Sequence, residues 1–270
     1  MSRTGRHLLV LLAVLVATAG AGLVLDRTVH TPSRSSPPAT SASSPSPDPV
    51  APTTRATRAS GPAALPPTPV GSALEATARL TVADGTTGAP YVRAAFGQSW
   101  LDTDRNGCDT RNDVLRRDLA DPRLKPGTRG CVVLSGTLLD PYTGITRDFE
   151  RGGDTSPLVQ VDHVVALADA WRSGADAWAT ERREGFANDP LELLAVDGRV
   201  NSAKSDGAAA TWLPPDPGAH CAYAARQVAV KLTWGLSATP AEAAALREVL
   251  GACPDEPLPA RAPFVLGPAD

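Results

Sequence analysis

The chain has 270 residues and a formal net charge of −3, with 42% hydrophobic, 20% charged and 4% aromatic residues. That length allows one or two ordinary domains, and the composition excludes a collagen, a coiled coil and a polytopic membrane protein. The acidic balance excludes a generally basic nucleic-acid coat. It leaves room for an enzyme that needs only a local basic track.

In chain order, Arg3 and Arg6 precede an uncharged apolar run, Leu8 to Leu25, that ends near small residues. This is the pattern of a cleavable secretory signal, or of an uncleaved anchor, over residues 1–30. Either one carries the rest of the chain out of the cytoplasm. Residues 31–70 hold 11 Pro, 8 Ser and 6 Thr. Such a segment buries too little apolar surface to offset chain entropy and reads as a disordered linker. The folded part is expected over 71–270, with 20 basic and 27 acidic residues.

All four cysteines, Cys108, Cys131, Cys221 and Cys253, fall in that part. An even number in an oxidising compartment predicts two disulfides. Three pairings are open. The sequential one, Cys108 with Cys131 and Cys221 with Cys253, closes the shorter loops and is the one expected. The spacings match no zinc site.

Within 71–270, Leu74–Val82 shows no clear period, and Tyr91–Phe96 begins an element that stops at Gly97. Asp102–Gly107 is a polar loop, and Asp109–Asp118 reads as a helix. Cys131–Leu134 and Gly136–Leu139 read as short paired strands beside the turn Asp140–Gly144. Leu158–Val161 and Leu191–Val196 read as strands. Ala166–Trp171, Trp178–Arg183 and Arg199–Ser205 read as short helices. Ala222–Leu232 and Pro240–Leu250 read as long helices, the second opened by Thr239 as N-cap with Pro240 at the first helical position. The fold class expected is α+β.

Asp162 and His163 are adjacent ionisable groups inside the apolar stretch Val159–Val165, where burial is costly without a purpose or a partner. Some 40 residues later a Leu-rich strand and a turn lead into a helix carrying Asn201-x-x-Lys204-x-Asp206. Together these resemble the ββα-metal, or HNH, nuclease motif. The blocks Asp102–Asp113, Asp140–Gly144, Phe186–Leu191 and Ala208–Pro215 sharpen the likeness toward secreted actinobacterial HNH-family endonucleases of the DUF1524 type. The resemblance spans roughly residues 90 to 250. It implies a ββα-metal core embellished with further helices and a small antiparallel sheet.

The chemistry that the resemblance implies is metal-assisted hydrolysis of phosphodiesters in DNA, and in RNA as a second substrate. His163 is the expected general base, since a neutral imidazole suits proton transfer near pH 7. Asp162 and Asn201 are the expected oxygen ligands of one divalent cation, Mg²⁺ or else Mn²⁺. Side chains alternate along a strand, so the strand must end or bulge at Asp162–His163 for both to serve one site. Lys204 is expected to hold phosphate, Arg111 to touch the nucleic-acid backbone, and Asp206 to brace the motif. Arg147, Arg151, Arg199 and Arg226 are expected to supply a local basic patch. Trp171, Trp178, Trp212 and Trp234 are expected in the core. The motif departs from its usual pattern at Glu192, which stands where an Asn commonly orients the base. A carboxylate there leaves three readings: it accepts the imidazole N–H, it adds a metal ligand, or it faces away from the site; Asn188 is the nearby asparagine.

A non-catalytic extracellular or wall-associated binding domain is the competing reading. A zinc peptidase is disfavoured because no His-Glu-x-x-His is present. Nucleic acid is the expected partner, with no stable protein partner and no membrane contact unless the N-terminal segment stays attached.

Overall fold

The computed structural model describes residues 71–85 and 88–264. The expected signal and linker segments, 1–30 and 31–70, lie outside the described residues.

The described elements run α1 (Ala73–Ala76), β1 (Thr81–Val82), α2 (Thr110–Asp118), β2 (Leu119–Leu124), β3 (Val133–Leu139), β4 (Thr146–Glu150), β5 (Val159–His163), α3 (Leu167–Arg172), α4 (Thr180–Ala187), β6 (Leu193–Asp197), α5 (Gly198–Lys204), α6 (His220–Trp234), β7 (Ser237–Ala238) and α7 (Pro240–Gly251). The strands form three small sheets: a parallel β1–β7 pair, an antiparallel β2-β3-β4 sheet and an antiparallel β5–β6 pair. The mixture is α+β, as the sequence implied.

Helix starts follow their capping chemistry. Asp109 accepts the Asn112 N–H and opens α2. Thr239 accepts the Glu242 N–H and opens α7, with Pro240 inside the first turn. These side chains satisfy amide donors that have no partner within the helix. The turn expected between the Leu-rich strand and the helix of Asn201 falls at Asp197 and Gly198, which are instead the N-cap and first residue of α5.

The strands depart from expectation in the small sheet. Cys131–Leu134 and Gly136–Leu139 are not two strands facing each other. Val133–Leu139 is a single strand, β3, and its partner across the Asp140–Gly144 turn is β4. On its other side lies β2, which contains Pro122 and left-handed Asp121 (φ 48°), and whose register shifts after Ala120. Proline is tolerated there because β2 is an edge strand.

Two cores organise the chain. One is built largely by the helices, with Phe96, Trp171, Phe186, Val228, Trp234 and Leu246 buried together. The other lies between α2 and the strands, with Val114, Leu115, Val133, Phe149, Val161 and Leu193. A third, smaller cluster of Tyr142, Val164, Val196 and Tyr223 sits beside the β5–β6 pair. Trp212 packs edge-on against both tyrosines of this cluster, at 5.3 Å from Tyr142 and 5.4 Å from Tyr223. The disulfides Cys108–Cys131 and Cys221–Cys253 are both formed, in the sequential pairing expected.

Candidate active site

The β5–β6 pair and α5 carry the residues singled out in the sequence. His163 is the last residue of β5 and pairs with Leu193, so the strand ends at the Asp162–His163 dipeptide. The next amide, Val164 N–H, donates to the Glu192 carbonyl at 2.9 Å, and the chain then leaves toward α3. Because β6 runs directly into α5 at Asp197, Asn201 is returned to the level of Gln160, whose Oε1 accepts its side-chain N–H at 2.9 Å. A cavity of about 330 Å³ results, lined by Asp162, His163 and Asn201 together with Tyr91, Arg93 and Ser205, among others.

Asp162 is buried and held on both oxygens. Tyr142 O–H donates to Oδ2 at 2.6 Å, and the Lys204 ammonium donates to Oδ1 at 2.9 Å. Burial raises its carboxyl above the ordinary range, against the pull of Lys204 and Tyr142. The Asp140–Gly144 turn therefore has a site role: it delivers Tyr142 to Asp162. Asp140 in turn accepts the Asp197 N–H at 2.9 Å and fixes the start of α5.

The His163 ring bonds the Ala187 carbonyl through Nε2 at 3.0 Å. A carbonyl only accepts, so the neutral ring carries its proton on Nε2 and keeps Nδ1 as the lone-pair nitrogen. Burial, with the neighbouring Arg93 and Lys204 charges, pushes the His163 pKa down to about 3. The ring is therefore neutral at pH 7. Trp100 stacks on it, with centroids 6.1 Å apart and planes at 20°. Trp100 holds a left-handed backbone (φ 60°), a costly conformation for a bulky residue.

Two residues sit differently from expectation. Glu192 does not reach the imidazole: its Oε2 accepts the Val165 N–H at 3.2 Å, and the ring's partner is the Ala187 carbonyl. Full burial raises the Glu192 carboxyl well above its ordinary range, against the pull of the Val165 N–H and the Lys204 charge. Lys204 is not at the surface to receive phosphate. Its side chain is 0% exposed, paired with Asp162 and bonded to the His163 carbonyl at 2.7 Å.

The remaining expected residues fall around this centre. Arg111 lies over the Phe149 ring at 5.8 Å and lines neither cavity that touches His163. Asp206 braces the motif through Arg172, at 2.9 Å. Arg147 pairs with Asp197, Arg151 with the Val133 carbonyl and Asn112, and Arg226 with the Leu191 carbonyl. Three of the four expected patch arginines thus serve the fold. Asn188 donates to the Glu184 carbonyl, while its Oδ1 has no partner; it shares a cavity of about 20 Å³ with His163 and Trp100.

Arg93 and Trp100 are site residues that the sequence reading passed over. Both come from the irregular 90–100 stretch, where no periodicity marks them. The only signal was an arginine and a tryptophan within ten residues of the polar loop.

Among the described residues no group of three or more His, Cys, Asp or Glu forms a ready-made metal cluster. Groups in the cavity that could hold a cation include the Asp162 carboxylate and the Asn201 amide. Asp162 retains a free lone pair on each oxygen after its two hydrogen bonds. Asn201 gives its N–H to Gln160 and keeps its carbonyl oxygen. Two hard oxygens beside open space suit a small divalent cation completed by water and phosphate.

The arrangement defines a mixed α/β domain whose polar centre lies where a strand pair hands over to a helix. Residues 109–249 match the family of GmrSD restriction endonuclease C-terminal domains, and the chain belongs to that family. It is also 38% identical over 165 residues to an uncharacterized secreted protein of Arthroderma benhamiae, covering 60% of this chain and 76% of that one. No solved structure matches the chain.

Proposed function

We propose that the protein is a metal-dependent endonuclease acting outside the cytoplasm on DNA, and on RNA as a second substrate. The observation that carries this reading is the shared cavity of Asp162, His163 and Asn201 at the end of β5 and the face of α5. Its family's description as restriction endonucleases supports the reaction class, and its secreted relative and two disulfides support the location. The antiparallel pair followed by a helix is the order that a ββα-metal core requires.

Asp162 and Asn201 would hold one Mg²⁺ or Mn²⁺, which when bound supplies charge neutralisation at the scissile phosphate. His163, neutral and anchored through Nε2, takes the proton of the attacking water on Nδ1. Trp100 and the Ala187 carbonyl fix the ring plane, so little reorientation remains to be done in the transition state. Arg93, exposed and lining both cavities beside His163, is placed to meet the phosphate anion. Lys204 positions Asp162, and Glu192 holds the exit of β5 by accepting the Val165 N–H. Both act through other groups.

The test is a Mg²⁺ titration of cleavage. Asn201→Ala should raise the Mg²⁺ concentration needed for half-maximal rate by tenfold or more. Arg93→Ala should raise KM for DNA and leave the Mg²⁺ requirement unchanged. An unaltered Mg²⁺ requirement in Asn201→Ala would remove that residue from the metal site.

A further inference from the structure

The proposed reaction leaves the loop Asp102–Asp113 without a task. Its residues follow a fixed order: Asp102, Asp104, Asn106, Gly107 and, six residues beyond the glycine, Asp113. Carboxylate or amide oxygens at the first, third, fifth and twelfth places, with glycine at the sixth, are the pattern of a twelve-residue calcium loop. The seventh place gives a backbone carbonyl, and aspartate here replaces the usual twelfth-place glutamate.

The geometry follows the same plan. Gly107 has φ +91°, as the sharp turn at the sixth place requires. Asp102 accepts the Asn106 N–H at 3.1 Å and the Gly107 N–H at 2.9 Å, which curls the loop about its first carboxylate. Helix α2 starts at the ninth place, Thr110, and so carries Asp113 on its first turn. Asp109 stands at the eighth place, which supplies no ligand in this pattern, and its oxygens serve Asn112.

Asp113 points beyond loop shape. It is only 4% exposed, and no cation forms an ion pair with it among the described residues. Burial raises its carboxyl, the Asn106 amide is its hydrogen-bonding neighbour, and the nearby charges of Asp104, Asp102 and Asp109 push in the same direction as burial. A buried carboxylate with two further carboxylates and a neutral amide for neighbours is left without a compensating ion pair among the described residues, which is costly.

We infer that residues 102–113 form a calcium site, with Asp102, Asp104, Asn106, the Cys108 carbonyl and Asp113 as ligands. These hard oxygens suit Ca²⁺ over a transition metal. The carboxylates are not drawn together into a closed cluster. Binding therefore tightens the loop and turns the Asn106 oxygen away from the Cys108 N–H that it now accepts at 2.8 Å. The site is tied to the strands on two sides: Cys108 is bonded to Cys131, and Asn112 accepts the Val133 N–H at 3.1 Å. At the far end of α2, Asp118 accepts the Ala195 N–H of β6 at 2.8 Å. Calcium thus braces the scaffold behind the candidate active site.

The experiment is calorimetric titration of Ca²⁺ into the full chain, with thermal unfolding followed at the same concentrations. The expected result is one site with Kd on the order of 10⁻⁴–10⁻³ M, the range of extracellular modules, and a Tm that rises with Ca²⁺. Asp104→Asn, at an exposed position, should weaken binding at least tenfold with an unchanged circular dichroism spectrum. Asp113→Glu should bind at least as tightly as the parent, and Asn201→Ala should bind Ca²⁺ at this site as the parent does. Parental affinity in Asp104→Asn would overturn the assignment. So would loss of binding in Asn201→Ala in its place, or no binding up to about 10 mM Ca²⁺.

Discussion

At the residue scale the site depends on a buried charge pair. Lys204 and Asp162 are held 2.9 Å apart with almost no exposure. Removing one partner of such a pair strands the other, at about 3–5 kcal/mol. Lys204→Met should therefore lower the urea midpoint by an amount of that order. A lysine that merely held phosphate at the surface would change KM and leave stability untouched, so unfolding curves of the variant distinguish the roles. Tyr142→Phe removes only the hydrogen bond to Asp162 and should cost about 1–2 kcal/mol. Asp162 and His163 were legible as adjacent ionisable groups in an apolar run, and Asn201 through the likeness of its helix to the HNH motif. The partner of Glu192 was not legible, because it stands just before β6 and its neighbour depends on where β5 ends: Val165, just beyond β5, reaches its carboxylate.

At the element scale the hinge of the site is the junction of β6 and α5. A Cβ at Gly198 would run into the Pro157 carbonyl oxygen, which is backbone and yields only if the chain moves. Gly198→Ala should cost about 1–3 kcal/mol as an overpacked contact. It should also displace Asn201, so that cleavage falls along with Tm. The N-cap before it gives a pH signature. Burial alone would raise the Asp197 carboxyl, but the Val200 and Arg199 amides and the Arg147 guanidinium hold it below its ordinary value. A carboxyl depressed in the folded state adds stability above its unfolded pKa, near 3.9, which is lost as pH falls through the lower folded value. Asp197→Ala should thus destabilise by about 0.5–2 kcal/mol at pH 7. The gap to the parent should close progressively below about pH 4 in acid titrations of stability.

The same scale shows which elements announce themselves. Helix α7 was legible through Thr239 and Pro240, because a cap is written in local sequence. Strand β2 was not, because Pro122 and the left-handed Asp121 argue against a strand anywhere but on an edge. Its edge position is set by β3, not by its own residues. The β3 strand was divided in two at Ser135–Gly136. Gly136 belongs inside the strand because a side chain there would crowd Leu119 and the Ala120 carbonyl on β2.

At the scale of the whole molecule, the helical core and the strand core are each fastened by one disulfide. Cys221–Cys253 ties α6 to the segment after α7 across 32 residues. In the chain-entropy view, closing such a loop contributes about 3–4 kcal/mol. The Cys221→Ser/Cys253→Ser variant should lose that much in denaturant unfolding, while its cleavage per folded molecule stays at the parental level. The cavity walls Tyr91, Arg93 and Trp100 were illegible for a reason of the same scale: they lie over 60 residues before Asp162 in the chain and are brought to it by tertiary packing, as of Phe96 against Trp171 and Phe186.

The central claim is that this constellation hydrolyses phosphodiesters with His163 as base. It is tested most directly by incubating supercoiled plasmid with the full chain in Mg²⁺, beside an EDTA control and the His163→Ala variant. Loss of a general base costs about 10²–10⁴-fold in rate. The account predicts nicked and linear DNA from the parent, none with EDTA, and a loss of that size in His163→Ala with an unchanged circular dichroism spectrum. Cleavage by His163→Ala at the parental rate, or an intact plasmid under every metal condition with folded parent protein, would contradict it.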